Sequence, residues 1–344
     1  MLPEVPIQTD NAGMVGTDST APHLTRGYLI ALASAAILST TAIFIRHLTQ
    51  TTQIPPLVLA LWRDVFVVVT LLPVLGLARP ARMRVARVHL PFLVAFGFVL
   101  AVFNALWTLS VACNGAALAT VLVYSSAAFS ALLGRWILQE ELGWPKWMAV
   151  ACSLGGCFLV SGASNPAAWN ANVLGIVTGV LSGLAYAAYS LMGRSASQRG
   201  LCPWTTLLYI FGSATIVLLL VNLFPGGLMP GSAARPGDLL WLGTSVRGWG
   251  ILFLLAAGPT VAGFGLYLVS LRHLGASVAN LVLTLEPAFT AVVATLLLGE
   301  RLSGIQVAGS VILMSGVIIL RACRDWPRRR AASGLPGAIE ARPV

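Results

Sequence analysis

One carboxylate stands where hydrocarbon should be. Glu286 lies near the middle of the apolar run 276–298 and is followed directly by Pro287. At 1.5 Å per residue it is roughly 15 Å from either end of that run, too far for a glutamate to reach a headgroup. An ionisable group at that depth is costly and normally faces a protein interior or a wet cavity. It can then bind a proton or the cationic end of a solute. The alternative is that it accepts hydrogen bonds from neighbouring helices and steadies a bend at Pro287, whose missing N–H weakens the helix there. Pro259 marks a second expected kink.

Arg63 and Asp64 lie inside another apolar run, roughly 10 Å from its start at Pro56. Adjacent helical residues point different ways, so the two are not expected simply to pair. A guanidinium at Arg63 could hold the carboxylate of a solute. It could equally extend its stem and place its charge at the outer interface. Asn104 and Asn280 are amides in apolar runs and need partners. Trp107, Tyr124, Tyr186, Tyr189 and Tyr267 are aromatic candidates for lining a cavity. Together these residue types suit binding of a zwitterion such as an amino acid, with a sugar or polyol as the near alternative.

No catalytic set accompanies them. The histidines, His23, His47, His89 and His273, fall near run ends or in the tail. The cysteines, Cys113, Cys152, Cys157, Cys202 and Cys323, show neither zinc spacing nor a disulfide framework. No Gly-rich phosphate loop is present. The reading is a binding and moving protein, not an enzyme, with no cofactor and no metal.

The elements that must carry these residues are legible from composition. Of 344 residues, 57% are hydrophobic and only 9% charged, against roughly 25% charged in soluble domains. The mean hydropathy is +0.86. Ten apolar runs of spanning length follow one another: 27–46, 56–77, 90–111, 116–138, 146–163, 174–193, 204–224, 249–271, 276–298 and 304–322. Continuous apolar runs of this kind are helices, not barrel strands. The fold class is an all-α integral membrane protein of ten transmembrane helices.

The chain also repeats itself. Shifted by 160 positions, 117–142 lies on 277–302 without a gap, and Ala128, Phe129, Leu138, Glu140 and Leu142 meet Ala288, Phe289, Leu298, Glu300 and Leu302. Shifted by 148, Gly27, Ser34, Arg46 and Pro55 meet Gly175, Ser182, Arg194 and Pro203. An insertion within 225–249 accounts for the difference. The expected division is a disordered cytoplasmic tail over 1–26, five-helix copies at 27–163 and 174–322, and a basic cytoplasmic tail over 323–344.

The net charge of +10 comes mainly from arginines in short loops and the tail. Arg79, Arg82, Arg84 and Arg87 follow helix 2, Arg194 and Arg199 follow helix 6, and the tail carries more. This is the positive-inside pattern and not a nucleic-acid surface; it predicts both termini in the cytoplasm. An odd number of helices per copy then makes the two copies inverted repeats. Gly175, Gly179 and Gly183 form a stripe that lets another helix approach closely.

The run PAFTAVVATLLLGERL after Glu286, and its degenerate counterpart AAFSALLGRWILQEEL, resemble the EamA family of the drug/metabolite transporter superfamily. The resemblance covers 27–322. It implies a ten-helix basket with a central cavity between the halves, and carriage of amino acids, other metabolites, sugars or nucleotide sugars, often outward, across the cell membrane. The first copy departs from the pattern, with Ser126–Ala127 in place of Glu286–Pro287. The expectation is a secondary transporter that moves a small organic metabolite by alternating access, with protons as a possible co-substrate and membrane lipids as its surroundings. A lipid-linked-sugar flippase or its structural subunit is the alternative from another class.

Overall fold

The computed structural model describes residues 21–78, 80–126, 166–224, 229–274, 282–283, 285–299, 302–305, 307–312 and 314–316, with scattered positions between 129 and 159. Asn280, Arg135, Glu140, Glu300 and the two tails beyond these limits lie outside the described residues.

The described residues are helical, without strands. The helices are α1 (Ala21–Thr52), α2 (Pro56–Ala78), α3 (Leu90–Asn114), α4 (Ala116–Val123), α5 (Pro166–Gln198), α6 (Pro203–Leu223), α7 (Val246–Leu255), α8 (Val261–His273) and α9 (Glu286–Leu298). Among the described residues six helical stretches are long and apolar enough to cross a membrane: 26–52, 56–77, 87–114, 173–198, 203–223 and 246–270. The first helix begins at Ala21, ahead of the apolar run at 27, so the end of the expected tail is helical. Prolines open α2, α3 and α6, where their missing N–H is no loss.

Packing is dominated by a few long helix pairs. α3 lies against α5 and α6, α1 against α8 and α9, α2 against α6, and α4 against α5 and α9. Small residues set the closest approaches. A Cβ on Gly179 would stand 2.7 Å from Leu122 Cδ1 and 2.8 Å from Ser110 Oγ. One on Gly183 would stand 2.2 Å from Ser125 Oγ and 3.0 Å from the Val123 carbonyl oxygen. The α5 stripe is thus a packing surface, as expected of small residues between apolar helices. α3 and α4 are joined by Gly115 alone, at φ 87°, a left-handed conformation that suits a residue without Cβ.

Two helices are broken where continuous spans were expected. α4 ends at Val123, and the chain tightens into a turn in which the Tyr124 N–H donates to Val121 O at 3.1 Å and the Ser125 N–H to Leu122 O at 3.1 Å. In the second copy the Leu285 N–H donates to Val282 O at 3.1 Å, and α9 starts afresh at Glu286. Phe129 N–H then donates to Ser125 O, and Phe289 N–H to Leu285 O. These bonds coincide under the shift of 160. Pro287 therefore does not kink a continuous helix; it sits in the first turn of a new one, where it needs no acceptor. The break is not caused by proline alone, because the first copy makes it with Tyr124, Ser125 and Ser126.

Pro259 lies in a π-turn, Ala256–Thr260, between α7 and α8. Proline offers no N–H to the Leu255 carbonyl, and the Thr260 hydroxyl donates to that oxygen at 2.8 Å instead.

The insertion folds over the end of α2. The Leu57 N–H donates to Gly231 O at 2.9 Å, and the Trp62 Nε1–H to Leu239 O at 2.6 Å. Buried Asn222 ties the segment down. It donates to Leu57 O and Leu218 O and accepts from the Ala233 N–H at 3.0 Å.

Candidate functional site

The breaks meet at one place. α4 packs on α9, and the side chain of Tyr124, just past the end of α4, crosses to the second copy. Its hydroxyl is hydrogen-bonded to the Leu283 carbonyl and lies 3.1 Å from Glu286 Oε2. Glu286 occupies the first turn of α9, where the unsatisfied N–H groups of a helix start favour a negative charge. A carboxylate deep in an apolar run is thereby given a hydroxyl and a helix terminus.

Around this pair is a narrow cavity of about 30 Å³. That is room for a water or so, not for an organic solute. Leu38 and Thr41 of α1, Phe103 and Trp107 of α3, Val123, Tyr124, Tyr186 of α5, Phe264 and Tyr267 of α8, and Glu286 line it. The aromatic wall is continuous: Phe103 stacks on Trp107 at 6.1 Å between ring centroids, and Tyr186 on Tyr189 at 6.1 Å. The fully buried Tyr189 also meets Phe264 edge-on at 5.8 Å.

Of the residues singled out from sequence, Tyr124, Tyr186, Tyr267, Trp107 and Glu286 are brought together here. Tyr189 stands behind the wall. Arg63 and Asn104 form a second polar cluster with Asp64. The Asn104 Nδ2 group donates to both Asp64 oxygens, at 2.9 and 2.8 Å. Arg63 Nε is 3.5 Å from Asp64 Oδ1. The adjacent residues do approach one another, contrary to expectation, because the long arginine side chain spans the angle between them. Nor does Arg63 reach the interface: it is 1% exposed, with Cζ 5.9 Å from the centre of the Trp107 ring.

Sequence reasoning missed Leu38 and Phe103 as lining residues, since single apolar positions in apolar helices carry no signal. It also missed the break in α4. The shift of 160, which sets Ser125–Ser126 on Leu285–Glu286, held the only hint. Several buried polar atoms near the centre, Thr41 Oγ1, Thr108 Oγ1 and Tyr189 Oη, have no hydrogen-bond partner among the described residues. Also among the described residues, no three or more His, Cys, Asp or Glu side chains gather to hold a metal ion.

The chain matches the model of the EamA-like transporter family twice, over residues 25–162 and 173–322. It is 27% identical to a protein of Escherichia coli (strain K12) described as a probable amino-acid metabolite efflux pump, over 78% of this chain and 86% of that one. It is 24% identical to an uncharacterized transporter of Archaeoglobus fulgidus, over 83% of this chain and 93% of that one. Identity to an uncharacterized transporter of Synechocystis sp. is 26%, over 65% of this chain and 64% of that protein. A crystal structure aligns with 87% of this chain and 98% of its own at a TM-score of 0.57 and 16% sequence identity, a likeness of fold.

Proposed function

The chain belongs to the EamA-like transporter family, and we propose that it is a secondary transporter that moves a small organic metabolite, most simply an amino acid, outward across the cytoplasmic membrane. The carrying observation is the Tyr124–Glu286 contact, which joins the two copies at their broken helices beside a narrow aromatic cavity. Broken helices at mid-membrane are where secondary transporters hold solutes and coupling ions. The cavity is too small for a solute, which fits a state closed between two open ones.

The architecture in this reading is ten helices in two inverted repeats. Its support is the pairing of contacts: α1 packs on α8 as α5 packs on α3, and α4 meets α9 across the centre. Under the sequence repeat, α1 corresponds to α5 and α3 to α8, while α4 corresponds to 276–283 and α9 to 126–138. Such a frame can rock about a fixed central site. Glu286 takes a proton or the solute's ammonium group, and the aromatic wall receives the apolar side chain. The outward direction is taken from the Escherichia coli relative, a probable efflux pump.

The experiment is counterflow of labelled L-amino acids in proteoliposomes containing the purified protein. Carriage of at least one amino acid above protein-free vesicles is the expected result. No carriage of any amino acid, with sugars or polyols carried instead, would replace the solute class.

A further inference from the structure

Arg63 heads the fully buried side chains by volume, yet its polar edge is open. Nε and Nη2 have no hydrogen-bond partner among the described residues. These two nitrogens form one side of the planar guanidinium, the side whose parallel N–H groups match both oxygens of a carboxylate. Asp64 is adjacent but does not fill it. Its Oδ1 stops 3.5 Å from Nε, while Asn104 Nδ2 holds both Asp64 oxygens at 2.9 and 2.8 Å. Asn104 thus draws the native carboxylate aside. The buried cation is ion-paired with Asp64 at 3.5 Å, but its bidentate edge makes no hydrogen bond among the described residues, so a partner that fills the edge should bind well.

The guanidinium also neighbours a residue of the cavity wall. The Trp107 ring centre is 5.9 Å from Arg63 Cζ, and the same residue lines the cavity with Tyr124 and Glu286, which Arg63 does not. We propose that Arg63 is a carboxylate subsite of the transport path, covered by Trp107 in this closed conformation and uncovered when that indole turns. Asn104 is its positioning residue, keeping Asp64 from closing the fork. Arg63 takes the carboxylate of a solute whose cationic end lies toward Glu286. The inference rests on the transport reading above and narrows its solute to compounds that carry a carboxylate.

The test uses amino acids and their decarboxylated amines. Wild-type, Arg63→Lys and Asn104→Leu proteins are purified, reconstituted and assayed by counterflow with L-leucine and 3-methylbutylamine, then with the other L-amino acid and amine pairs. Arg63→Lys should raise the KM for carried amino acids at least about tenfold, because an ammonium cannot present the parallel fork. Asn104→Leu, which frees Asp64 to compete for Arg63, should shift amino acids the same way. In both variants the KM for any carried amine should stay at the wild-type value. If the variants leave amino-acid KM unchanged, or weaken amino acid and amine alike, Arg63 is a structural cation and the subsite is overturned. If wild type carries amines but no amino acid, the subsite fails while transport stands. Carriage of no solute overturns both.

Discussion

The Tyr124 hydroxyl lies 3.1 Å from Glu286 Oε2, across 162 residues of chain. The contact joins the turn that ends α4 to the first turn of α9. Each partner stands at the helix break of its own copy, so movement of one copy against the other must strain or part this bond. In the transport reading proposed above, that would place Glu286 to register which way the cavity faces.

Glu286→Gln should fold, since the amide keeps the side-chain shape and an oxygen that accepts from Tyr124. Its melting temperature in detergent should stay within about 2 °C of wild type, a shift on the order of 1 kcal/mol. Net transport should lose its response to an imposed pH gradient, while solute exchange survives. Transport measured with and without a gradient decides this. An equal pH response in both proteins removes the proton role.

Gly183→Ala should be costly although alanine is the better helix former. The new Cβ would meet Ser125 Oγ at 2.2 Å, the Val123 carbonyl oxygen at 3.0 Å and the Ser126 nitrogen at 3.1 Å. The hydroxyl could rotate away, but the two backbone atoms cannot without moving α5 from the end of α4. A loss of about 1–3 kcal/mol is expected. Gly212→Ala is the control, because a Cβ there meets nothing within 4 Å. It should be neutral or stabilising by up to about 1 kcal/mol. Thermal unfolding in detergent compares the two, and equal melting temperatures would show that the stripe is not a tight contact.

Asn222→Leu should loosen the insertion from α2. The substitution leaves the Ala233 N–H without its acceptor and the Leu57 carbonyl without this donor. Each unsatisfied group costs about 1–3 kcal/mol where water cannot replace the partner. Limited proteolysis between 229 and 245 should speed up, with transport affinity unchanged. Wild-type cleavage kinetics would show that Asn222 does not hold the segment.

Both termini should lie in the cytoplasm. A reporter phosphatase active only outside the cytoplasm, fused after Val344, should be inactive, and one fused within the loop after α6 should be active. Activity at the C-terminus would overturn the ten-helix topology read from the loop arginines.

The membrane class, the six spanning helices found among the described residues, the internal repeat and the candidate polar residues were legible in the sequence, for a physical reason. Hydrocarbon imposes length and apolarity on each segment separately, so the signal is local and survives without tertiary knowledge. The prominence of Glu286, Arg63 and Asn104 came from the same rule, since any polar group in such a run is conspicuous. Which of them meet was decided only by packing. Tyr124 reaches Glu286, and Asn104 finds Asp64, because α4 lies on α9 and α3 lies near α2. No pattern within one helix encodes those neighbours. The helix breaks were hidden for a related reason: Tyr124–Ser125–Ser126 is not a helix-breaking sequence, and neither Leu285 nor Glu286 is a breaker. Propensity favoured continuous helices there, and the tertiary fold overrode it. Arg63 shows the same division. Its sequence position allowed an interfacial charge or a buried one, and the packing of Trp107 and Asp64 around it selected burial.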